Sequence, residues 1–185
     1  MKQTIMLFFT ALFLKIIFFF QIIKYDPSLK FPQIDSAYFL EISSNLKEGK
    51  WIPEPEGFYL LPPGYSYFLS LIPYNTGNFK NIFLIQIFLG ALAVVLIKIL
   101  GTNIFGKKVG TIAALFFLFY GPSTFYEVKI LSESIFSFFF PTIFIFLFFP
   151  EKITAVYFRI FFGFFMYLKA KFFTLLDFLF FMDTF

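Results

Sequence analysis

The side chains of this chain that could carry acid–base chemistry are few, because the sequence contains no histidine and no cysteine. The usual general base, the thiol nucleophile and the commonest zinc ligand are therefore excluded. Proton transfer is left to 11 carboxylates, the lysines and the tyrosines. We predict no cofactor and no metal site, and the dependence on a divalent ion stays open because only carboxylates could hold one.

Three carboxylates stand beside apolar segments, where a charged group is a candidate for function. Each also has a structural interpretation. Asp35 stands at the start of a helical pattern, so it could either cap that helix or take part in catalysis. Glu127 could be solvated at the membrane interface. Glu133 lies in an apolar run four residues after Lys129, and the two could form an i,i+4 pair.

One lysine lies within the first apolar run, Thr4 to Ile23. Lys15 could meet a carboxylate or a lipid phosphate inside the bundle. The sequence alone favours the simpler interpretation, in which the long side chain snorkels to the interface.

The composition requires lipid around most of the chain. Of 185 residues, 59% are hydrophobic and only 14% are charged, whereas soluble domains have about 25% charged residues. We predict an all-α, polytopic transmembrane bundle of about five spans in a single membrane domain, residues 1–185. The predicted spans are Thr4–Ile23, Ile82–Leu100, Val109–Tyr126, Ile130–Phe149 and Ile153–Leu168.

A long polar loop, residues 24–80, separates the first two predicted spans. Within it, residues 35–46 have the spacing of a short helix, and residues 65–74 form an apolar segment too short to span. Pro62, Pro63 and Gly64 form a turn before that segment, for which a purely structural role is the stronger interpretation. We therefore expect juxtamembrane helices in this loop.

Charge and small residues predict orientation and packing. Lys107 and Lys108 lie in a short loop without acidic residues, which predicts that residues 102–108 are cytoplasmic. The N-terminus is then inside and loop 24–80 outside the cell membrane. Gly90 with Ala93, and Gly110 with Ala114, predict close helix contacts.

Several short motifs are informative through their order along the chain. They are Ile-Asp-Ser-Ala-Tyr-Phe-Leu-Glu at 34–41, Leu-Pro-Pro-Gly-Tyr at 61–65, Phe-Gly-Lys-Lys-Val-Gly at 105–110, Tyr-Gly-Pro-Ser-Thr-Phe-Tyr-Glu at 120–127 and Leu-Ser-Glu-Ser at 131–134. In this order the chain resembles the N-terminal half of the GT-C membrane glycosyltransferases. The group it resembles most is the bacterial dolichyl-phosphate-mannose protein mannosyltransferase-like enzymes, which are related to the aminoarabinose transferases.

The resemblance implies transfer of a sugar from a polyprenyl-phosphate-linked donor, outside the membrane, to a lipid, glycan or protein acceptor. The implied partners are membrane lipid and that donor, and no nucleic acid. Asp35 matches the family's catalytic aspartate and Glu133 its second acidic site. The implied substrate-binding residues are Glu127, Lys129, Tyr38, Pro62 and Pro63.

Two departures leave an alternative open. Many relatives carry a basic residue where this chain has Leu61, and they run to several hundred residues, whereas this sequence stops at Phe185. We therefore expect little transferase activity from the isolated chain. The alternative is a non-enzymatic multi-pass membrane protein, such as a small transporter, a flippase subunit or a degenerate paralogue, although no inverted repeat supports a transporter.

Overall fold

A computed structural model describes residues 2–26, 29, 31–50, 61 and 63–148, and this part of the chain is helical. An isolated bridge between Asn75 and Asn78 is its one piece of β-structure. The predicted all-α class is confirmed for these residues. The helices are α1 (Lys2–Tyr25), α2 (Asp35–Lys47), α3 (Gly64–Ser70), α4 (Lys80–Phe105), α5 (Lys107–Leu118), α6 (Gly121–Glu127) and α7 (Glu133–Phe148).

Two of these helices, α1 and α4, are long and apolar enough to cross a membrane. They contain 24 and 26 residues, which corresponds to roughly 36 and 39 Å at the usual helical rise, against a hydrocarbon core of about 30 Å. Both agree with the first two predicted spans. A helical membrane protein, the coarser prediction, is therefore supported.

The third predicted span, Val109–Tyr126, is not one straight helix. The chain bends by 57° between α5 and α6, and only the two together are long enough to cross. The cause is Pro122, which stands at the start of α6. Its ring would clash with the carbonyl of Leu118, four residues earlier, and α5 ends at that residue.

The number of spans stays a prediction. The helix found within the fourth predicted span, α7, has 16 residues, or about 24 Å, which is less than the core of a bilayer. The fifth predicted span, Ile153–Leu168, lies outside the described residues. The part of the chain that the structure describes thus contains two candidate spans, or three if the bent pair is counted.

Helix α4 is the centre of the bundle, and α1, α5 and α7 pack against it. Helices α1 and α4 run antiparallel, because Lys2 shares a cavity with Thr102 while Phe19 contacts Phe83, with ring centroids 6.0 Å apart. Residues 102–108 and the described residues of the long loop therefore lie at opposite ends of these helices. We call them the basic end and the loop end; which of them faces the cytoplasm stays a prediction.

The loop end contains two of the predicted features. The helix predicted at residues 35–46 is α2, and the short apolar segment contains α3. They pack on each other through Phe39 and Tyr65, whose rings meet edge to face at 4.9 Å. Both rings belong to a buried cluster that also includes Phe19, Phe83 and Ile130, so the loop is tied to the spanning helices.

Small residues make the close contact between α4 and α5. Gly106, at φ 89°, lies between the end of α4 and the start of α5. A Cβ atom on Gly110 would lie 2.7 Å from the carbonyl oxygen of Lys98, so only glycine fits at this crossing. Ala114, one turn later, is fully buried. The contact predicted from Gly110 and Ala114 is confirmed.

Candidate functional site

The centre of the bundle contains a buried ion pair between α1 and α6. Nζ of Lys15 lies 2.6 Å from Oε1 and 2.8 Å from Oε2 of Glu127. The two side chains are 1% and 0% exposed. At this depth an unpaired charge would be very costly. Each charged side chain can therefore be buried only because it is paired with the other.

Hydroxyl groups on α6 complete the pair. Lys15 also donates to Oγ1 of Thr124 at 3.3 Å, and Ser123 donates to Oε1 of Glu127 at 3.4 Å. The ammonium group has three protons to give, and three oxygen atoms receive them. Because every proton of the ammonium group has an acceptor, the pair is stabilised. Lys15 has no proton left for a further acceptor.

A glycine on α4 makes the room for the carboxylate. A Cβ atom on Gly90 would lie 2.6 Å from Oε2 of Glu127 and closer still to Oε1. The sequence predicted that Gly90 marks a helix contact, and the contact is with a side chain on α6. Helices α1, α4 and α6 therefore meet at one polar point, which fixes the bent α5–α6 unit against the two long helices.

A second buried link connects this point to the loop end. Gln86, on α4, donates from Nε2 to the carbonyl oxygens of Glu127 at 2.9 Å and Lys129 at 2.8 Å. Its Oε1 accepts a hydrogen bond from the hydroxyl of Tyr65. One amide side chain thereby satisfies two backbone carbonyls at the end of α6 and in the turn after it, and it holds the short helix α3 in place.

Burial controls the titration of Tyr65. Desolvation raises the pKa of its hydroxyl far above the usual range, the negative charge of Glu133 raises it further, and a hydrogen bond with Ser134 acts in the opposite direction. The hydroxyl is therefore a neutral donor at physiological pH. It supports the loop end and is not a candidate base.

The favoured interpretation of Lys15 and the structural interpretation of Glu127 are wrong, whereas the alternative in which Lys15 meets a carboxylate inside the bundle is confirmed. Lys15 does not snorkel, and Glu127 is not solvated at the interface; they are bonded to each other. The bend at Pro122 explains the error, because it turns Glu127 into the bundle, whereas a straight third span would have carried it to the membrane surface. The sequence did contain a signal for this ion pair, namely a cation in one predicted span and a carboxylate near another, because charges inside a membrane usually pair.

Asp35, the predicted catalytic base, is exposed at the loop end. It is the first residue of α2, and the capping position belongs to Ile34, which has no side-chain acceptor. The interpretation of Asp35 as the cap is therefore not supported. Ile34 has φ 50°, a conformation that is strained for a β-branched residue, and it directs the chain into α2.

Gln33 and Ser36, which lie close to Asp35 in sequence, line a small cavity of about 100 Å³. Lys129 and Ile130 line the same cavity, whereas Asp35 itself does not. The structure thus brings the predicted residues Asp35 and Lys129 to one region, although they are far apart in sequence.

Glu133, the second predicted acidic site, is also exposed and is the first residue of α7. It does not pair with Lys129, which forms an ion pair with Asp26 instead. The reason is local, because Lys129 lies in the turn between α6 and α7, where the i,i+4 geometry of a helix is absent. Ser132 donates to Glu133 at 3.4 Å.

Of the remaining predicted substrate-binding residues, the structure describes Tyr38 and Pro63. Tyr38 is half-buried on α2, with its ring centroid 6.2 Å from that of Phe39. Pro63 immediately precedes α3. Pro62 lies outside the described residues. The described ranges contain no cluster of three or more acidic side chains that could hold a metal ion.

Comparisons with protein-family models, with curated proteins and with solved structures found no match for this chain.

Proposed function

We propose that this chain is a membrane-embedded transferase of the GT-C type, which moves a sugar from a polyprenyl-phosphate-linked donor to an acceptor hydroxyl. The observation that carries the proposal is the position of Asp35. It is an exposed carboxylate on the first turn of a juxtamembrane helix, and its sequence neighbour Ser36 lines a cavity that Lys129 also lines.

The proposed chemistry is a single displacement. The acceptor oxygen attacks the anomeric carbon of the donor sugar, and the bond from that carbon to the phosphate oxygen breaks. The polyprenyl phosphate leaves with the electron pair, and the hydroxyl proton goes to the carboxylate of Asp35, the general base. No covalent enzyme intermediate is needed.

Lys129 is the cation that we assign to the leaving phosphate. Its side chain is 17% exposed and its ammonium group already pairs with Asp26, so donor binding would exchange a carboxylate for a phosphate. A cation near the leaving oxygen lowers the barrier, because it stabilises the negative charge that develops there.

One observation favours the alternative of a non-enzymatic membrane protein. The cavity lined by Ser36 and Lys129 has a volume of about 100 Å³, whereas small-molecule sites typically span about 300–1,000 Å³. The buried Lys15–Glu127 pair, in the described part of the chain, uses its hydrogen-bonding capacity on groups of the chain itself. It therefore offers no binding group to a substrate.

Two measurements on the full chain in lipid nanodiscs decide between these functions. The first is binding of a polyprenyl-phosphate hexose, and the second is sugar transfer from it to acceptors in a membrane extract. We expect transfer by the wild-type chain to be weak, and Asp35→Asn to keep donor binding and to lower that transfer by roughly 10²–10⁴-fold, which is the usual contribution of a positioned base. We expect Lys129→Gln to weaken donor binding.

Glu41→Gln is the matched control, because Glu41 is an exposed carboxylate on the same helix. It should change neither measurement. A chain that binds no polyprenyl-phosphate sugar would support the non-enzymatic alternative. Wild-type transfer by Asp35→Asn would remove the catalytic assignment and direct attention to Glu133.

A further inference from the structure

A second cavity lies at the basic end, at the opposite end of the long helices from α2. Its volume is about 550 Å³. It is formed by the beginning of α1, the last turns of α4 and the first residue of α5. The lining residues are Lys2, Gln3, Thr4, Lys98, Ile99, Thr102, Asn103 and Lys107. Three of these are lysines, and none is acidic.

Lys98 is the informative residue of this cavity. It is only 7% exposed, and no hydrogen bond or ion pair joins its ammonium group to any residue within the described ranges. The stem of this side chain is buried, but its ammonium nitrogen is not sealed from the cavity that the residue lines. Lys15, which is 1% exposed, is bonded to three oxygen atoms, whereas the ammonium group of Lys98 has its protons available for a ligand in the cavity.

The other lining groups suit an anion. Lys2 and Lys107 bring two more ammonium groups to the cavity, and Gln3, Thr4 and Asn103 bring neutral donors. The first turn of α1 also lies here, and a helix of 24 residues has free backbone N–H groups at its start.

The surroundings of the cavity favour a lipid over a free ion. Large apolar side chains follow the lining residues of α1 in sequence and are exposed: Ile5 is 51%, Met6 is 68% and Phe9 is 61% exposed. These side chains lie farther along α1, toward the middle of that helix. A ligand with a phosphate head and acyl chains would contact both the lysines and this apolar surface.

We infer that the basic end binds the phosphate of an anionic lipid headgroup, with Lys98, Lys107 and Lys2 as its cations. Basic pockets between spanning helices are a known way to recognise such headgroups. The site is separate from the proposed transfer site, so it can be tested without any sugar transfer.

The test is a lipid titration of the purified full chain in a neutral detergent, followed by native mass spectrometry. The probes are phosphatidylglycerol, phosphatidylcholine with the same acyl chains, and inorganic phosphate as a competitor. We expect phosphatidylglycerol to bind at least about tenfold more tightly than phosphatidylcholine, because its headgroup has a net negative charge that the lysines match.

Lys98→Met is the principal variant, since methionine has a similar length and no charge. We expect it to weaken binding of phosphatidylglycerol by about 10–100-fold, the contribution of one lost charge-assisted hydrogen bond.

Two further variants keep the test decisive. Lys107→Gln changes an exposed lining residue, so its folding is not in question, and it should also weaken binding. Lys108→Gln changes the adjacent exposed lysine, which does not line the cavity, and it should bind as the wild type does.

Three results would overturn the inference. Equal binding of the two lipids would show that net headgroup charge is not recognised. Unchanged binding in both Lys98→Met and Lys107→Gln would place the lipid elsewhere. Displacement of phosphatidylglycerol by inorganic phosphate at equal concentration would identify a free anion as the ligand.

Discussion

The acidic residues of this protein lie in two contrasting environments. Glu127, in the middle of the bundle, is fully buried and bonded to Lys15. Asp35 and Glu133, at the loop end, each begin a helix and are exposed. The sequence drew attention to all three for the same reason, namely that each borders an apolar segment.

The difference shows how burial divides structural from reactive carboxylates. Inside the bundle an ionised group persists only if it is paired and hydrogen-bonded, so Glu127 is committed to its partners. An exposed carboxylate has no such requirement and can receive a proton from a substrate. The comparison therefore predicts large stability effects at Glu127 and small ones at Asp35 and Glu133.

The largest effect is expected from breaking the buried pair. Lys15→Met or Glu127→Gln alone should lower the free energy of unfolding by about 3–5 kcal/mol, because each leaves a charge buried without a partner. The measurement is reversible unfolding of the chain in mixed detergent micelles, followed by circular dichroism.

The double variant Lys15→Met, Glu127→Met is the control for this interpretation. It removes both charges, so it should recover much of the loss. Lys50→Met, in the exposed Lys50–Glu48 pair, should change the free energy of unfolding by less than about 1 kcal/mol. Equal losses from Lys15→Met and Lys50→Met would mean that burial of the pair has no energetic consequence.

An intermediate effect is expected from filling the space beside the pair. Gly90→Ala places a methyl group against the carboxylate of Glu127, which should cost about 1–3 kcal/mol of stability through overpacking. The loss should shrink when Glu127→Ala is already present, because the obstructing atoms are then gone. Gly121→Ala, which meets no atom within 4 Å, is the matched control, and a similar loss there would argue against the steric explanation.

The smallest effect is expected at the loop end. Glu133→Gln should change the free energy of unfolding by less than about 1 kcal/mol, since it alters only an exposed charge in the first turn of α7. The same unfolding assay measures it beside Glu127→Gln, which makes the identical chemical change in the interior. A loss at Glu133 as large as that at Glu127 would erase the distinction between the two environments.

The sequence was sufficient for features set by local pattern and solvent. Composition predicted a helical membrane protein, and the spacing of apolar residues predicted α2, which begins at Asp35 as expected and ends at Lys47, one residue later than predicted. Gly110 and Ala114 predicted the tight contact of α4 with α5. These features depend on neighbours in sequence, which is why a pattern reveals them.

Only the tertiary structure decided which charges meet. Lys15 and Glu127 are 112 residues apart. The predicted i,i+4 pair of Lys129 with Glu133 gave way to an ion pair with Asp26, which directly follows α1. Sequence spacing describes contacts along one helix, whereas these contacts depend on the bend at Pro122 and on the space left by Gly90. In a medium that penalises every unpaired charge, the fold brings distant opposite charges together, and their partners are determined by the packing of the helices.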